Sequence, residues 1–225
     1  MSTPDSLGER LELVRAGVAD AAAQAARDPS DITTVVVTKF HPAALVRELH
    51  ALGVRDVGEN RHQEAQAKSR ELADLDLRWH FIGQLQSNKA RQVREYASAV
   101  HSVDRASVVD ALAGDVDLDV FVQLNLTDDA GRGGVRPDDL EPLVERVLAT
   151  SGLRLLGVMA VAPVGEEPRA AFARVRAASE RVRALSPAST MISAGMSGDY
   201  REAILEGATH LRIGSAITGL RPERG

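Results

Sequence analysis

One pattern governs what this chain can become: a short β-branched run, a turn, and a segment with apolar residues at helical spacing, repeated eight times. The runs fall at 35–39, 54–57, 78–83, 99–103, 119–125, 153–159, 190–193 and 209–214. They are too brief for helices and rich in valine and isoleucine, so they read as buried strands. Helices are predicted between them. Ala43 to Leu52 sets Leu45, Leu49 and Leu52 on one side before Gly53, and Gln63 to Leu75 is polar and alanine-rich. Ser87 caps a helix through Tyr96, Asp104 one through Ala113, and others run from Pro137 to Thr150 and from Asp199 to Glu206. A long helix from Pro168 carries Phe172, Val175, Val182 and Leu185. Ahead of the first strand, Leu7 to Arg27 is a further helix with Leu11, Val14, Val18 and Ala22 at helical spacing and Ser6 as its N-cap. Units of roughly 20–30 residues fit an α/β fold that closes as a single (β/α)8 TIM-type barrel with an extra N-terminal helix, rather than an open sheet. No Pro/Ser-rich linker interrupts the alternation, which predicts one domain over residues 1–225.

Composition removes several classes of function. A net charge of −5 leaves no electrostatic footprint for nucleic acid. With no cysteine there is no disulfide, thiolate nucleophile or Cys-based metal site, which suits a reducing compartment. The first ten residues have neither a basic start nor an apolar stretch, and no later run reaches membrane-spanning length, so a cytoplasmic protein is expected.

A barrel of this kind places its chemistry at the C-terminal ends of the strands. That selects Lys39, the Gly58-Glu59-Asn60 turn, Ile82-Gly83, His101-Ser102, Asn125, Met159, the segment Ser193 to Ser197, and Gly214-Ser215. Lys39 is the one lysine in this set. In a dry pocket its amine condenses with an aldehyde or ketone; the alternative is a surface lysine just past a strand. Ser193-Ala194-Gly195-Met196-Ser197-Gly198-Asp199 and Ile213-Gly214-Ser215-Ala216 each lead into a helix, after strands 7 and 8, where this fold usually binds phosphate. Tight turns and caps are the plainer reading of either segment. Arg212 alternates with Leu211 and Ile213 and so points into the barrel, toward a structural carboxylate or toward a ligand's ring nitrogen or phosphate. Asn60 either holds a ligand polar group or closes its own turn. His80 and His101 read as packing or strand-end hydrogen-bonding residues, and His41, His50 and His62 as loop or helix-surface residues. No Gly-x-Ser-x-Gly elbow surrounds a serine, which sets acyl transfer aside.

In order along residues 33–219, several segments together resemble the YggS/PROSC family of pyridoxal phosphate homeostasis proteins. They are Val37-Thr38-Lys39, Gly58-Glu59-Asn60 with Gln63-Glu64, Trp79 to Gly83 with Leu85 to Lys89, Gly157-Val158-Met159, Ser193 to Ser197 and Arg212-Ile213-Gly214. The resemblance implies an alanine racemase N-terminal domain-like barrel that holds pyridoxal 5′-phosphate (PLP) as an internal aldimine on Lys39. It further implies that Ser197 and the backbone at Gly214 and Ser215 hold the phosphate, that Arg212 faces the pyridine nitrogen, and that Asn60 and Met196 line the pocket. An arginine at that nitrogen does not favour the protonated ring that makes the cofactor a strong electron sink. Both tyrosines, Tyr96 and Tyr200, fall in predicted helices, so no acid/base pair for racemisation can be named. The implied role is that of a PLP carrier or regulator in vitamin B6 homeostasis, without established turnover, with apo PLP-dependent enzymes as recipients. The chain departs from many members at Phe40-His41, where a Thr-Lys pair is frequent, and at Arg132, where a lysine often stands; a second lysine handling the cofactor is therefore missing or replaced. A PLP-dependent racemase, a cofactor-free Schiff-base aldolase and a pure interaction protein are the competing readings. No long apolar seam marks a helix face, and a monomer is expected.

Overall fold

The computed structural model describes residues 6–127, 129 and 131–219. Eight parallel strands close into a barrel in sequence order: β1 (Thr33–Val37), β2 (Asp56–Glu59), β3 (Arg78–Phe81), β4 (Ala99–Val103), β5 (Leu118–Gln123), β6 (Leu153–Met159), β7 (Met191–Ser193) and β8 (His210–Ile213). Closure is by β8 on β1, with Val35 opposite Arg212 and Val36 opposite Ile213. The predicted fold class is thus the observed one.

Helix α1 (Leu7–Gln24) precedes the barrel and packs on α8 (Tyr200–Leu205) and α9 (Ser215–Thr218). Ser6 caps it in a reciprocal box, its hydroxyl accepting from the Glu9 N–H at 3.1 Å while Glu9 accepts from the Ser6 N–H at 3.0 Å. The strands are joined by α2 (Ala43–Ala51), α3 (His62–Glu71), α4 (Ala90–Arg94), α5 (Ala106–Ala111), α6 (Leu140–Leu148) and α7 (Pro168–Leu185). Two predicted caps are absent. Ser87 opens a short 3-10 turn with no side-chain cap, and Asp104 instead pairs with Arg105 at 2.5 Å. The buried stripe of α2 is Ala43, Val46 and Leu49 rather than Leu45, Leu49 and Leu52. The glycine-bearing stretch from Thr127 to Gly134 reads from its sequence as a loop, and its Asp128 and Ala130 lie outside the described residues.

The two faces of the sheet differ in kind. Val36, Val57, Val100, Val120, Val158, Leu211 and Ile213 pack outward into the shell between strands and helices, which forms the main apolar core. Inward, His80, His101, Phe121 and His210 meet from β3, β4, β5 and β8, with ring centroids 4.4 to 6.4 Å apart. Strands that are not neighbours touch this way only through the barrel interior. That interior mixes apolar side chains with polar groups that need partners.

Candidate functional site

Strand β1 ends one residue short of Thr38, two earlier than its sequence suggests. Thr38 is fully buried, and its carbonyl accepts from the His41 N–H at 3.1 Å and from Lys68 Nζ at 2.8 Å, which turns the chain out of the ladder. Lys39 stands exposed on that turn. Phe40 follows with φ +70, a conformation that costs an L-residue about 1 kcal/mol, and its N–H is held by Glu64 Oε1 at 2.6 Å.

Beneath the turn lies a buried ionic cluster. Lys68 Nζ reaches Glu59 Oε1 and Glu64 Oε1, both at 2.7 Å, and Thr38 Oγ1 donates to Glu59 Oε1 at 2.7 Å. Burial raises the Glu59 carboxyl above its ordinary range, against the opposing pull of the Lys68 ammonium. The sequence reading missed Lys68. The available signal was Glu64 four residues ahead of it, with Lys68 on the same helical face as Ala65 and Leu72. His41 and His62, expected on the surface, are buried at 7% and 8% exposure.

The neighbouring strand ends complete the mouth. Gly214 follows β8 so closely beside Val37 that a Cβ there would sit 3.5 Å from the Val37 Cβ. The Ala216 N–H points to Ser197 Oγ at 3.3 Å, joining the loops after β7 and β8. Gly195 makes that joint possible: its φ is +91, and a Cβ would lie 2.7 Å from the Ala203 Cβ. The loop is closed by Asp199 Oδ1, which accepts from the Met196 N–H at 2.6 Å. Met196 and Ser215 are exposed, Ser197 and Gly214 half-buried. On the other flank Asn60 follows β2, and its Oδ1 is buried without a partner among the described residues. Lys39, Asn60, Met196, Ser197, Gly214 and Ser215 thus ring the C-terminal ends of four successive strands, β7, β8, β1 and β2.

Arg212 lies below them inside the barrel at 5% exposure. It donates to Ser193 Oγ at 2.6 Å and to the Ala160 carbonyl at 2.8 Å, and no carboxylate touches it among the described residues. Burial lowers its pKa to about 10, partly offset by Asp199, which leaves it a cation at neutral pH. The mouth therefore offers an exposed amine, hydroxyl and backbone donors for an anion, a buried guanidinium, and an amide oxygen lacking a partner. Among the described residues no group of His, Asp and Glu side chains could hold a metal ion, and no helix is long and apolar enough to cross a membrane.

Comparison with known proteins points the same way. The family of the alanine racemase N-terminal domain matches residues 11–222. A pyridoxal phosphate homeostasis protein of Pseudomonas aeruginosa is 45% identical over 224 residues, 96% of each chain. One from Escherichia coli is 35% identical over 228 residues, 96% of this chain and 97% of that one. Among solved structures, PipY of Synechococcus elongatus with PLP bound superposes with a TM-score of 0.83 at 34% identity, over 95% of this chain and all (100%) of that one. Alanine racemase of Corynebacterium glutamicum shares the fold, with a TM-score of 0.72 at 13% identity over 96% of this chain and 63% of its own.

Proposed function

The chain belongs to the pyridoxal phosphate homeostasis proteins, built on the alanine racemase N-terminal domain, and we propose that it holds PLP at the mouth of its barrel as a carrier or regulator rather than as an enzyme with turnover. The observation that carries this reading is the placement of an accessible amine, Lys39, on the strand next to the joined loops of Ser197, Gly214 and Ser215. Lys39 would hold the cofactor through its amine, which can condense with an aldehyde with loss of water. Ser197 and the backbone at Gly214 and Ser215 take the phosphate, Asn60 and Met196 line the ring, and Arg212 supplies a donor to the ring nitrogen. The buried Asn60 Oδ1 and the further N–H groups of Arg212 are polar groups of the kind a polar ligand would use.

When bound, PLP offers a ring that withdraws electrons from a substrate carbon, most strongly when its nitrogen is protonated. A guanidinium at that nitrogen donates a hydrogen bond and does not accept a proton, which supports storage over carbanion chemistry. The two tyrosine hydroxyls have other neighbours. Burial raises the Tyr96 hydroxyl, which lies 3.5 Å from His62, and Tyr200 packs on α1 at Gly17. We further place the protein in the cytoplasm as a single-domain monomer, with PLP-dependent apoenzymes as recipients. The cysteine-free composition and the net charge of −5 support a soluble small-molecule binder over a nucleic-acid or membrane partner.

An absorption spectrum tests the assignment. The purified protein with PLP is expected to show a near-visible band that borohydride fixes to the peptide containing Lys39, and Lys39→Ala is expected to lose it. A variant that keeps the band unchanged would refute the role of Lys39, and a wild type that never acquires one would refute PLP binding. Solvent deuterium exchange at an amino acid α-carbon, lost in Lys39→Ala, would reclassify the protein as an enzyme.

A further inference from the structure

The site uses Arg212 but leaves the buried histidines beneath it without a task. Two of them lie on a continuous path of short contacts that ends on the guanidinium. Arg212 Nη1 is 2.6 Å from Ser193 Oγ, and that oxygen is 2.8 Å from His101 Nδ1. His101 Nε2 is 2.9 Å from His80 Nδ1, and His80 Nε2 is 2.9 Å from Asp56 Oδ1. The path runs from β8 through β7, β4 and β3 to the first residue of β2, across the interior from one end of the barrel toward the other. His210 stands beside it without joining it, bonded instead to Thr209 Oγ1 at 3.0 Å.

The carboxylate end sets the direction of this path. An ionised Asp56 can only accept, so His80 carries a hydrogen on Nε2 and donates to it, and a neutral His80 ring then has a bare Nδ1. That nitrogen accepts from His101 Nε2–H, and a neutral His101, with its one hydrogen used there, has a bare Nδ1. Ser193 Oγ accepts from the guanidinium, which can only donate, and gives its own hydrogen to that nitrogen. His101 is indeed held neutral: complete burial first, then the nearby His80 and Arg212, push its pKa well below the ordinary value. Burial works against ionising Asp56, yet hydrogen bonds from His80 and Arg78 hold its carboxyl below the usual range.

We propose that Ser193, His101, His80 and Asp56 are positioning residues, a one-way hydrogen-bond chain that fixes the orientation of Arg212 from a carboxylate at the far end of the barrel. Among the described residues Arg212 has no carboxylate in contact, and this chain supplies a remote one through aligned bonds that polarise one another. With Nη1 and Nη2 committed to Ser193 and Ala160, the rest of the fork is presented in one direction. That this direction is the cofactor's ring nitrogen rests on the PLP reading above; the chain itself does not.

The test begins on the unliganded protein. Long-range proton–nitrogen correlation spectra of histidine-labelled protein are expected to show His80 and His101 both as neutral Nε2–H tautomers at neutral pH. Ser193→Ala is expected to shift the Arg212 Nε–H resonance, and Asp56→Ala to release His80 and His101 toward their other tautomers. With PLP added, Ser193→Ala and His101→Phe are expected to move the absorption maximum and weaken binding about fivefold to tenfold, the equivalent of one hydrogen bond. Arg154→Ala, whose partner Asp119 lies outside the chain, is expected to leave the absorption maximum in place. An Nδ1–H or doubly protonated His80 or His101 in the wild type overturns the chain. So does an Arg212 resonance indifferent to Ser193→Ala. If both spectra come out as expected and no PLP binds, the chain stands and the cofactor reading alone falls.

Discussion

Replacing Lys68 with methionine probes the pedestal under Lys39. The ammonium has three acceptors, Thr38 O, Glu59 Oε1 and Glu64 Oε1, and lies with Glu59 at 7% and 1% side-chain exposure. Methionine keeps much of the stem's volume but leaves the Glu59 carboxylate buried and uncompensated, a change that costs about 3–5 kcal/mol. For a chain of this length that corresponds to a fall in Tm of roughly 6–10 °C. The pH dependence has a definite sign. The folded Glu59 pKa is already above its unfolded value, and losing the cation that pulls it down raises it further. Such a group binds more protons folded than unfolded, so its stabilising contribution is present at low pH and is lost as pH rises through the folded value. The deficit of Lys68→Met relative to wild type should therefore be largest at neutral pH and shrink on acidification, as Glu59 protonates. Urea unfolding at pH 7.5 and pH 5.5, with m checked for constancy, measures it. A loss below about 1 kcal/mol, or one equal at both pH values, would show that this cluster is not held as argued. Pairing the substitution with Glu59→Leu should recover most of the stability, since the carboxylate that remains, Glu64, is partly exposed and still accepts from the Phe40 N–H. Because the Phe40 N–H and the Thr38 carbonyl hang on the same cluster, the single variant should also bind PLP more weakly.

His210 gives a second pH signature: burial holds its pKa near 4 against an ordinary 6.5, so the stability it lends above pH 6.5 is lost as pH falls toward 4. Substituting His210→Gln should flatten that part of the stability curve by at most about 3 kcal/mol, read from urea midpoints across the window, and an unchanged slope would contradict a buried neutral ring. Gly83→Ala would set a Cβ 2.0 Å from the Asn60 carbonyl oxygen, so it should destabilise by about 3 kcal/mol or more and weaken PLP binding together. A variant as stable as wild type would mean the two strand ends are not packed as described.

Strand count and closure were legible because buried strands and amphipathic helices alternate with little ambiguity, and Arg212 was aimed correctly by the two-residue period of β8. What escaped was decided by partners distant in sequence. Gly58 and Glu59 read as an exit loop because glycine usually marks one, yet both belong to β2. A Cβ at Gly58 would be 3.0 Å from Val35 Cγ1 in the barrel interior, so glycine there meets a packing demand made by β1. Asp104 looked like a helix cap but its carboxylate serves Arg105 and, at 3.4 Å, the Gly134 N–H from another loop. Lys68 hid in a polar helix, where a charge normally signals solvent. Only the approach of Glu59 from β2 turns it into a buried residue.

These misreadings share a cause that also bears on how the site works. In this barrel the apolar core is the outer shell, while the interior carries Asp56, His80, His101, Ser193, His210 and Arg212. A polar interior is tolerable only where hydrogen-bond partners meet its demands, and each such bond restricts where its owner can point. Such an interior adds less stability than a hydrocarbon one of equal volume, but it fixes orientation. Lys39 is anchored differently: the backbone on both sides is pinned through Thr38 and Phe40, while the side chain itself extends into solvent. On the proposed assignment, an amine on a long flexible stem, set on rigid backbone beside a rigid donor, suits a residue that both takes up and releases PLP. Holding the amine as firmly as the guanidinium would favour retention over transfer.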